Sequence, residues 1–247
     1  MAHHSKFRGV VVALLAALGA AGCADEQEPL IVLNATSFEE GCVADPAAAA
    51  LGLGQLDVSF GSPYILGLAV QNQLLSQTAQ MSNSGIDDGE LQLRTADVRL
   101  TSSQIPEVID ALDAQDAALV DFSVTLASNS IGPGDVQGVF VEVISRAASQ
   151  AFAEQLGSLP AGSIPTVDAH VVVHGRRTGN SVGGVGDVEA REYTFPIRLC
   201  VGCLLTCSTC ANGQCPTQIN GFIGGACGNT QDIPWAPLGC EDPAEGV

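Results

Sequence analysis

Three observations predict a mainly β protein, an antiparallel β-sandwich with two short helices and a disulfide-rich C-terminal tail. Apolar and polar residues alternate with period two in seven stretches between Leu56 and Leu199, the spacing of strands buried on one face only. Clusters of Gly, Asn, Asp and Ser separate the alternating stretches: NSGIDDG, SNSIGPGD and RRTGNSVGGVGD. Such residues supply the positive φ angles and local side-chain hydrogen bonds that turns need. Helical periodicity is confined to two short segments outside any repeating β-α order, which argues against a parallel βαβ architecture.

In chain order, Leu56, Val58 and Phe60 share one face, and after the Ser62-Pro63 break Tyr64, Leu66, Leu68 and Val70 do the same. The signal returns at Leu91 and Leu93, then slips phase before Val98 and Leu100, which predicts a bulge. Further strands are expected at Val120-Phe122-Val124-Leu126, at Val139-Val141-Val143, over Val167 to Val173, and at Tyr193-Phe195-Ile197-Leu199. Pro106 to Ala118 and Arg146 to Leu156 are the helical segments. Val108, Ile109 and Leu112 share a face of the first, and Ala148, Phe152 and Leu156 a face of the second. Both are expected to cap the ends of the sandwich. The strand spacing resembles that of fibronectin- and immunoglobulin-like exported domains, without the Cys and Trp landmarks of true immunoglobulins.

The N-terminus sets the expected address. MAHHSKFR precedes the apolar run GVVVALLAALGAAG, Gly9 to Gly22, which has the n-region and h-region of a signal peptide and is too short for a bilayer-spanning helix. Ala20, Ala21 and Gly22 directly before Cys23 resemble the lipobox of bacterial lipoproteins, with Ala20 where that family most often has Leu. The resemblance covers residues 1–23. It implies cleavage after a signal peptide of residues 1–22, acylation of Cys23 with fatty chains such as palmitate, and a stable bilayer anchor. Ala24 is not the Asp that signals inner-membrane retention in that family, so an outer-membrane address is expected, facing the periplasm or the exterior.

Without residues 1–22 the chain keeps all 27 acidic but seven basic residues, so its formal charge is 7 − 27 = −20. A chain so acidic is repelled by phosphate backbones and anionic headgroups, which excludes nucleic acid as an expected partner and leaves the acylated N-terminus as the contact with lipid. An envelope protein partner is open. Residues 23–54, acidic and then alanine-rich, read as a tether that joins the domain through Leu30 to Leu33. Residues 55–199 read as the sandwich and 200–247 as the cysteine-rich tail.

Exported chains meet an oxidising compartment, where thiols pair. With Cys23 assigned to lipid, Cys42, Cys200, Cys203, Cys207, Cys210, Cys215, Cys227 and Cys240 form an even set and are expected in four disulfides. Seven of the eight follow residue 199, so full pairing forces Cys42 to bond with one of them. The C-x2-C-x3-C-x2-C spacing lacks the separation between ligand pairs in a zinc ribbon and departs from the ferredoxin run. Neither metal nor other cofactor is expected.

Other motifs resolve to structural readings. Gly179-Asn180-Ser181-Val182-Gly183 matches the nucleophile elbow G-x-S-x-G, but turn and strand residues follow it, and all four histidines precede Ser181. Asp168, His170 and His174 share a strand face and could begin a metal site only with ligands from another strand. Glu107, Asp110, Asp113 and Asp116 read as a solvated helix face, and Asp87-Asp88-Gly89-Glu90 as a turn without a calcium-loop pattern. The expected protein is therefore a non-catalytic, lipid-anchored envelope protein with a structural or binding role. It resembles exported Gram-negative lipoproteins with a similar cysteine-rich tail, a likeness that implies no activity. A metal-binding or thiol-redox protein using the cysteine cluster is the alternative.

Overall fold

The computed structural model describes residues 28–39, 43–74, 89–127, 130–160, 163–178, 186–203 and 231–232. Cys23, Cys42, Ser181 and the cysteines from Cys207 to Cys240 lie outside them. The strands are β1 (Leu30–Thr36), β2 (Phe38–Glu39), β3 (Val43–Ala44), β4 (Ala50–Leu51), β5 (Gly54–Asp57), β6 (Tyr64–Asn72), β7 (Glu90–Thr101), β8 (Asp121–Thr125), β9 (Ser130–Ile131), β10 (Val136–Ile144), β11 (Thr166–Thr178), β12 (Asp187–Glu189) and β13 (Tyr193–Cys200). The helices are α1 (Pro106–Gln115) and α2 (Arg146–Leu156).

Two sheets bury their inner faces in one core. The smaller has the order β10-β6-β1-β4, and the larger runs β5-β13-β11-β7-β8 with β12 beside β11 and β9 beside β7. Leu66, Leu68 and Val70 of β6 and Val139, Val141 and Val143 of β10 belong to the same apolar cluster as Val98, Val171 and Ile197 from the larger sheet. The expected mainly β, sandwich-like class is what the chain forms. Among the described residues every strand pairing is antiparallel except β5 with β13, which is parallel, with Leu56 opposite Leu199 and Asp57 opposite Cys200.

The bulge expected before Val98 is present. His174 faces Thr95 and Gly175 faces Leu93, so Arg94 is the extra residue, exposed between the buried Leu93 and Ala96. The extra residue moves both apolar sets onto the core face. The alternation at Leu56, Val58 and Phe60 does not continue as one strand. The Asp57 carboxylate accepts from the Ser59 amide and starts a 3-10 turn over Val58–Phe60, which Gly61 ends at φ 58°.

The N-terminal boundary differs from the expected one. Leu30–Thr36 lies between β6 and β4 in the smaller sheet, so the sandwich begins at Leu30 instead of residue 55, and residues 30–54 supply five strands or strand starts where a tether was expected. The β2–β3 ladder packs on the outer face of that sheet. A Cβ at Gly138 would collide with the Ala44 carbonyl, so only glycine lets β3 come this close.

Both helices sit at one end of the sandwich. α1 follows the end of β7 and α2 the end of β10, while β11 starts opposite the end of β7 and β5 and β13 end together. Ser145 caps α2 by accepting from the Ala148 amide at 3.1 Å, and Pro106 sits in the first turn of α1, where its missing N–H costs nothing. The helices pack against each other, and α2 packs on the 3-10 turn. Among the described residues both helices cap one end, because the connections that hold them, β7 to β8 and β10 to β11, both leave from it. Glu107, Asp110 and Asp113 are exposed on α1, as a solvated face should be, and Asp116 is exposed just after its end. No helix among the described residues is long and apolar enough to cross a membrane.

Candidate functional site

At the helical end, β5 and β13 run side by side and carry Asp57 next to Cys200. The next three residues, Val201, Gly202 and Cys203, turn back so that Cys200 and Cys203 form a disulfide with Cα atoms 5.8 Å apart. Gly202 takes φ 72°, a conformation that only glycine adopts without strain. Asp57 is fully buried, and its Oδ1 accepts from the Gly202 amide at 2.9 Å, the Ser59 amide at 3.0 Å and the Ser59 hydroxyl at 2.6 Å. One carboxylate thus holds both the 3-10 turn and the cysteine turn, and these hydrogen bonds offset the cost of burying its charge.

The two sulfurs differ in surroundings. Cys200 is 2% exposed and its Sγ lies 3.6 Å from the Leu56 carbonyl oxygen, whereas Cys203 is 8% exposed and its Sγ accepts from Gln55 Nε2 at 3.4 Å. Phe60 packs against both. Ligand atoms of Asp57, Cys200 and Cys203 lie within 4.8 Å of one another. Soft metals bind thiolates, so a metal could use this trio only after the disulfide is reduced. Closing so short a loop removes little chain entropy, about 2 kcal/mol in the loop-entropy relation, against roughly 5 kcal/mol for a loop of more than 150 residues.

Next to the cysteines, Gln231 and Asp232 clasp the two sheets together. The Asp232 amide donates to the Gln55 carbonyl at 2.9 Å, and the Gln55 amide donates to Asp232 Oδ1 at 3.0 Å. The Gln231 side chain spans the gap to β6: its Oε1 accepts from the Ile65 amide at 2.9 Å and its Nε2 donates to the Ile65 carbonyl at 2.6 Å. The buried Tyr64 hydroxyl donates to Asp232 Oδ1 at 2.7 Å and Oδ2 at 2.9 Å. Burial and the neighbouring Asp232 hold the Tyr64 phenol well above its ordinary value, and burial raises the Asp232 carboxyl against the lowering hydrogen bonds from Tyr64, Gln55 and Gln231.

The raised Asp232 carboxyl contributes a pH dependence to stability whose sign follows from that direction. Its protonated form is favoured in the folded chain, so its contribution is fully present below the ordinary value of 3.8 and is lost as pH rises through the higher folded value. Asp232→Asn keeps an acceptor oxygen but cannot ionise. The urea midpoint of the wild type, relative to that of the variant, is expected to fall across this window. Midpoints that stay parallel over the whole window would show that the carboxyl is not perturbed.

The histidines occupy the outer face of the larger sheet. His170 Nδ1 is 2.9 Å from Glu192 Oε1 and its Nε2 is 2.9 Å from the Thr101 hydroxyl, while His174 Nε2 is 2.9 Å from Asp97 Oδ2. Hydrogen bonding to His170 lowers the Glu192 carboxyl, and bonds from Ser123 and then His174 lower that of Asp97. Four residues apart on a strand, His170 and His174 have Cα atoms about 13 Å apart, with both side chains standing roughly perpendicular to the sheet. They cannot share one ion with Zn–N bonds of about 2 Å. The structure gives each its own carboxylate instead.

No family model matches this chain, and no curated protein and no solved structure is significantly similar to it. The site stands on its own geometry.

Sequence reading singles out Cys200 and Cys203 but not the groups around them. Asp57 has a local signal in hindsight: Asp-x-Ser before Gly61 is the chemistry of a side-chain-capped turn. Gln55, Tyr64, Gln231 and Asp232 have none, since what joins them is a contact across more than 160 residues.

Proposed function

We propose that the protein is a lipid-anchored protein of the bacterial outer membrane whose β-sandwich has a structural or binding role and does not itself carry out catalysis. The observation that carries this reading is the Cys200–Cys203 disulfide. Disulfides form and persist in oxidising compartments, and a chain bearing one is at home outside the cytoplasm. The lipobox-like Ala20-Ala21-Gly22-Cys23 adds the anchor, and the charge of 7 − 27 = −20 after residue 22 leaves no basic surface to replace it.

Replacing Cys23 with Ser tests the anchor directly. In a Gram-negative host, wild-type protein is expected to enter the detergent phase on phase separation. The Cys23→Ser protein is expected to stay in the aqueous phase with an unchanged β-type circular dichroism spectrum, because the core of the described residues is built from Leu30 onward. Equal partitioning of the two proteins would end the lipoprotein reading.

A further inference from the structure

We infer that Cys200 and Cys203 form a thiol–disulfide exchange site for an external dithiol, in which Cys203 is the sulfur that meets the partner and Cys200 the sulfur kept inside. This activity goes beyond the scaffold role proposed above and needs only the disulfide, not the lipid anchor.

The bridge is a poor staple. It links residues three apart at the end of one strand, which the β5 and β11 ladders already hold. What it does have is asymmetry. Both cysteines are buried, but Cys203 is the more exposed residue, at 8% against 2%, and Val201 at the tip of the turn is 50% exposed, so solvent reaches the turn from that side. Gln55 Nε2 donates to Cys203 Sγ at 3.4 Å, a hydrogen bond that favours a thiolate there. Cys200 Sγ faces the Leu56 carbonyl at 3.6 Å, an acceptor that suits a thiol and disfavours a thiolate. Asp57 holds the Cys-Val-Gly-Cys backbone through the Gly202 amide, so the turn keeps its place when the bridge opens.

The exchange takes two steps. A thiolate of the dithiol attacks Cys203 Sγ and forms a mixed disulfide. The Cys200–Cys203 bond breaks, its electron pair goes to Cys200, and Cys200 takes a proton and donates to the Leu56 carbonyl. The second thiolate of the dithiol then attacks its own sulfur in the mixed disulfide and expels Cys203, which leaves as a thiolate beside Gln55 Nε2. The dithiol loses two electrons and two protons; the cysteine pair gains the two electrons and one proton, on Cys200, and the other proton goes to solvent while Cys203 stays a thiolate.

Glutathione has no second thiol of its own, so the intramolecular second step is closed to it, and a rapid acid quench holds the mixed disulfide before Cys200 or a second glutathione resolves it. Full-length protein is incubated with reduced glutathione, quenched in acid, alkylated and mapped by mass spectrometry. Glutathione is expected on Cys203 at least tenfold more than on Cys200, with Cys200 alkylated and the circular dichroism spectrum still that of the folded protein. Dithiothreitol in place of glutathione should open the same bridge and leave no adduct. Cys200→Ser and Cys203→Ser have no bridge to reduce and are incubated with oxidised glutathione instead, whose own disulfide supplies the oxidant: an adduct is expected on Cys203 of the first and none on Cys200 of the second. Adduct on Cys200, equal adducts on both, or a bridge that opens only in denaturant would each overturn the assignment. If a serine variant does not fold, the wild-type map decides alone.

Discussion

Under denaturing conditions, complete cleavage after arginine is expected to leave residues 23–94 and 199–247 joined until a reductant is added. Seven cysteines follow residue 199, and the Cys200–Cys203 bridge uses two of them. Five remain, Cys207, Cys210, Cys215, Cys227 and Cys240. An odd set cannot pair within itself, so full pairing sends one of them to Cys42. Arginine is absent between Cys23 and Arg94 and after Arg198, so no other peptide is needed to read the result. Such a bridge closes a loop of more than 150 residues and stabilises the fold by roughly 5 kcal/mol in the chain-entropy treatment. Cys42→Ser should then lower the thermal midpoint by about 10–20 °C, given a shift of about 2–4 °C per kcal/mol for a chain of this size. Fragments that separate without reductant would mean that Cys42 is unpaired within the chain, and four internal bridges would be impossible.

Phe152→Ala is expected to cost about 3–5 kcal/mol, the range for truncating a fully buried aromatic side chain. Phe152 is 0% exposed and lies in the core cluster with Leu112 of α1 and Val58 of the 3-10 turn. Truncating it opens a cavity at the end of the sandwich where α2 rests on that turn. The denaturation midpoint should fall while the slope stays constant, since the surface exposed on unfolding hardly changes. Glu107→Gln, on the exposed face of α1, should stay within about 0.5 kcal/mol of wild type. A loss below 1 kcal/mol for Phe152→Ala would show that α2 does not pack through this ring.

The two effects differ in origin. The ring acts on the folded state through contacts that vanish with it, whereas the long bridge acts on the unfolded chain by restricting it.

Much of the architecture was legible from residue order alone. Tyr64, Leu66, Leu68 and Val70 are all buried on one face of β6, as are Val167, Val171 and Val173 on β11, because a strand alternates faces residue by residue and a core selects one of them. The slip before Val98 announced the extra Arg94 for the same reason. Arg146 to Leu156 matched α2 residue for residue, since Ser145 caps it and Gly157 follows it. These signals are local: each arises from neighbours within a few positions.

Other features arose only when distant segments met. Leu30–Thr36 looks like a short apolar patch until β6 and β4 flank it on both sides. The parallel pairing of β5 with β13 joins residues more than 140 positions apart, and no periodicity marks such a partner. Gln231 and Asp232 are ordinary polar residues in sequence, and folding makes them the clasp between the sheets. The same holds for the cysteine site. Residue order placed Cys200 three positions from Cys203, but the inequality of their sulfurs comes from Gln55, Leu56 and Asp57, which the parallel ladder carries beside them. Periodicity therefore told which residues face the core, while the chemistry at the sandwich end depends on long-range pairing, whose free energy is spread over a whole ladder and leaves no trace at any one position.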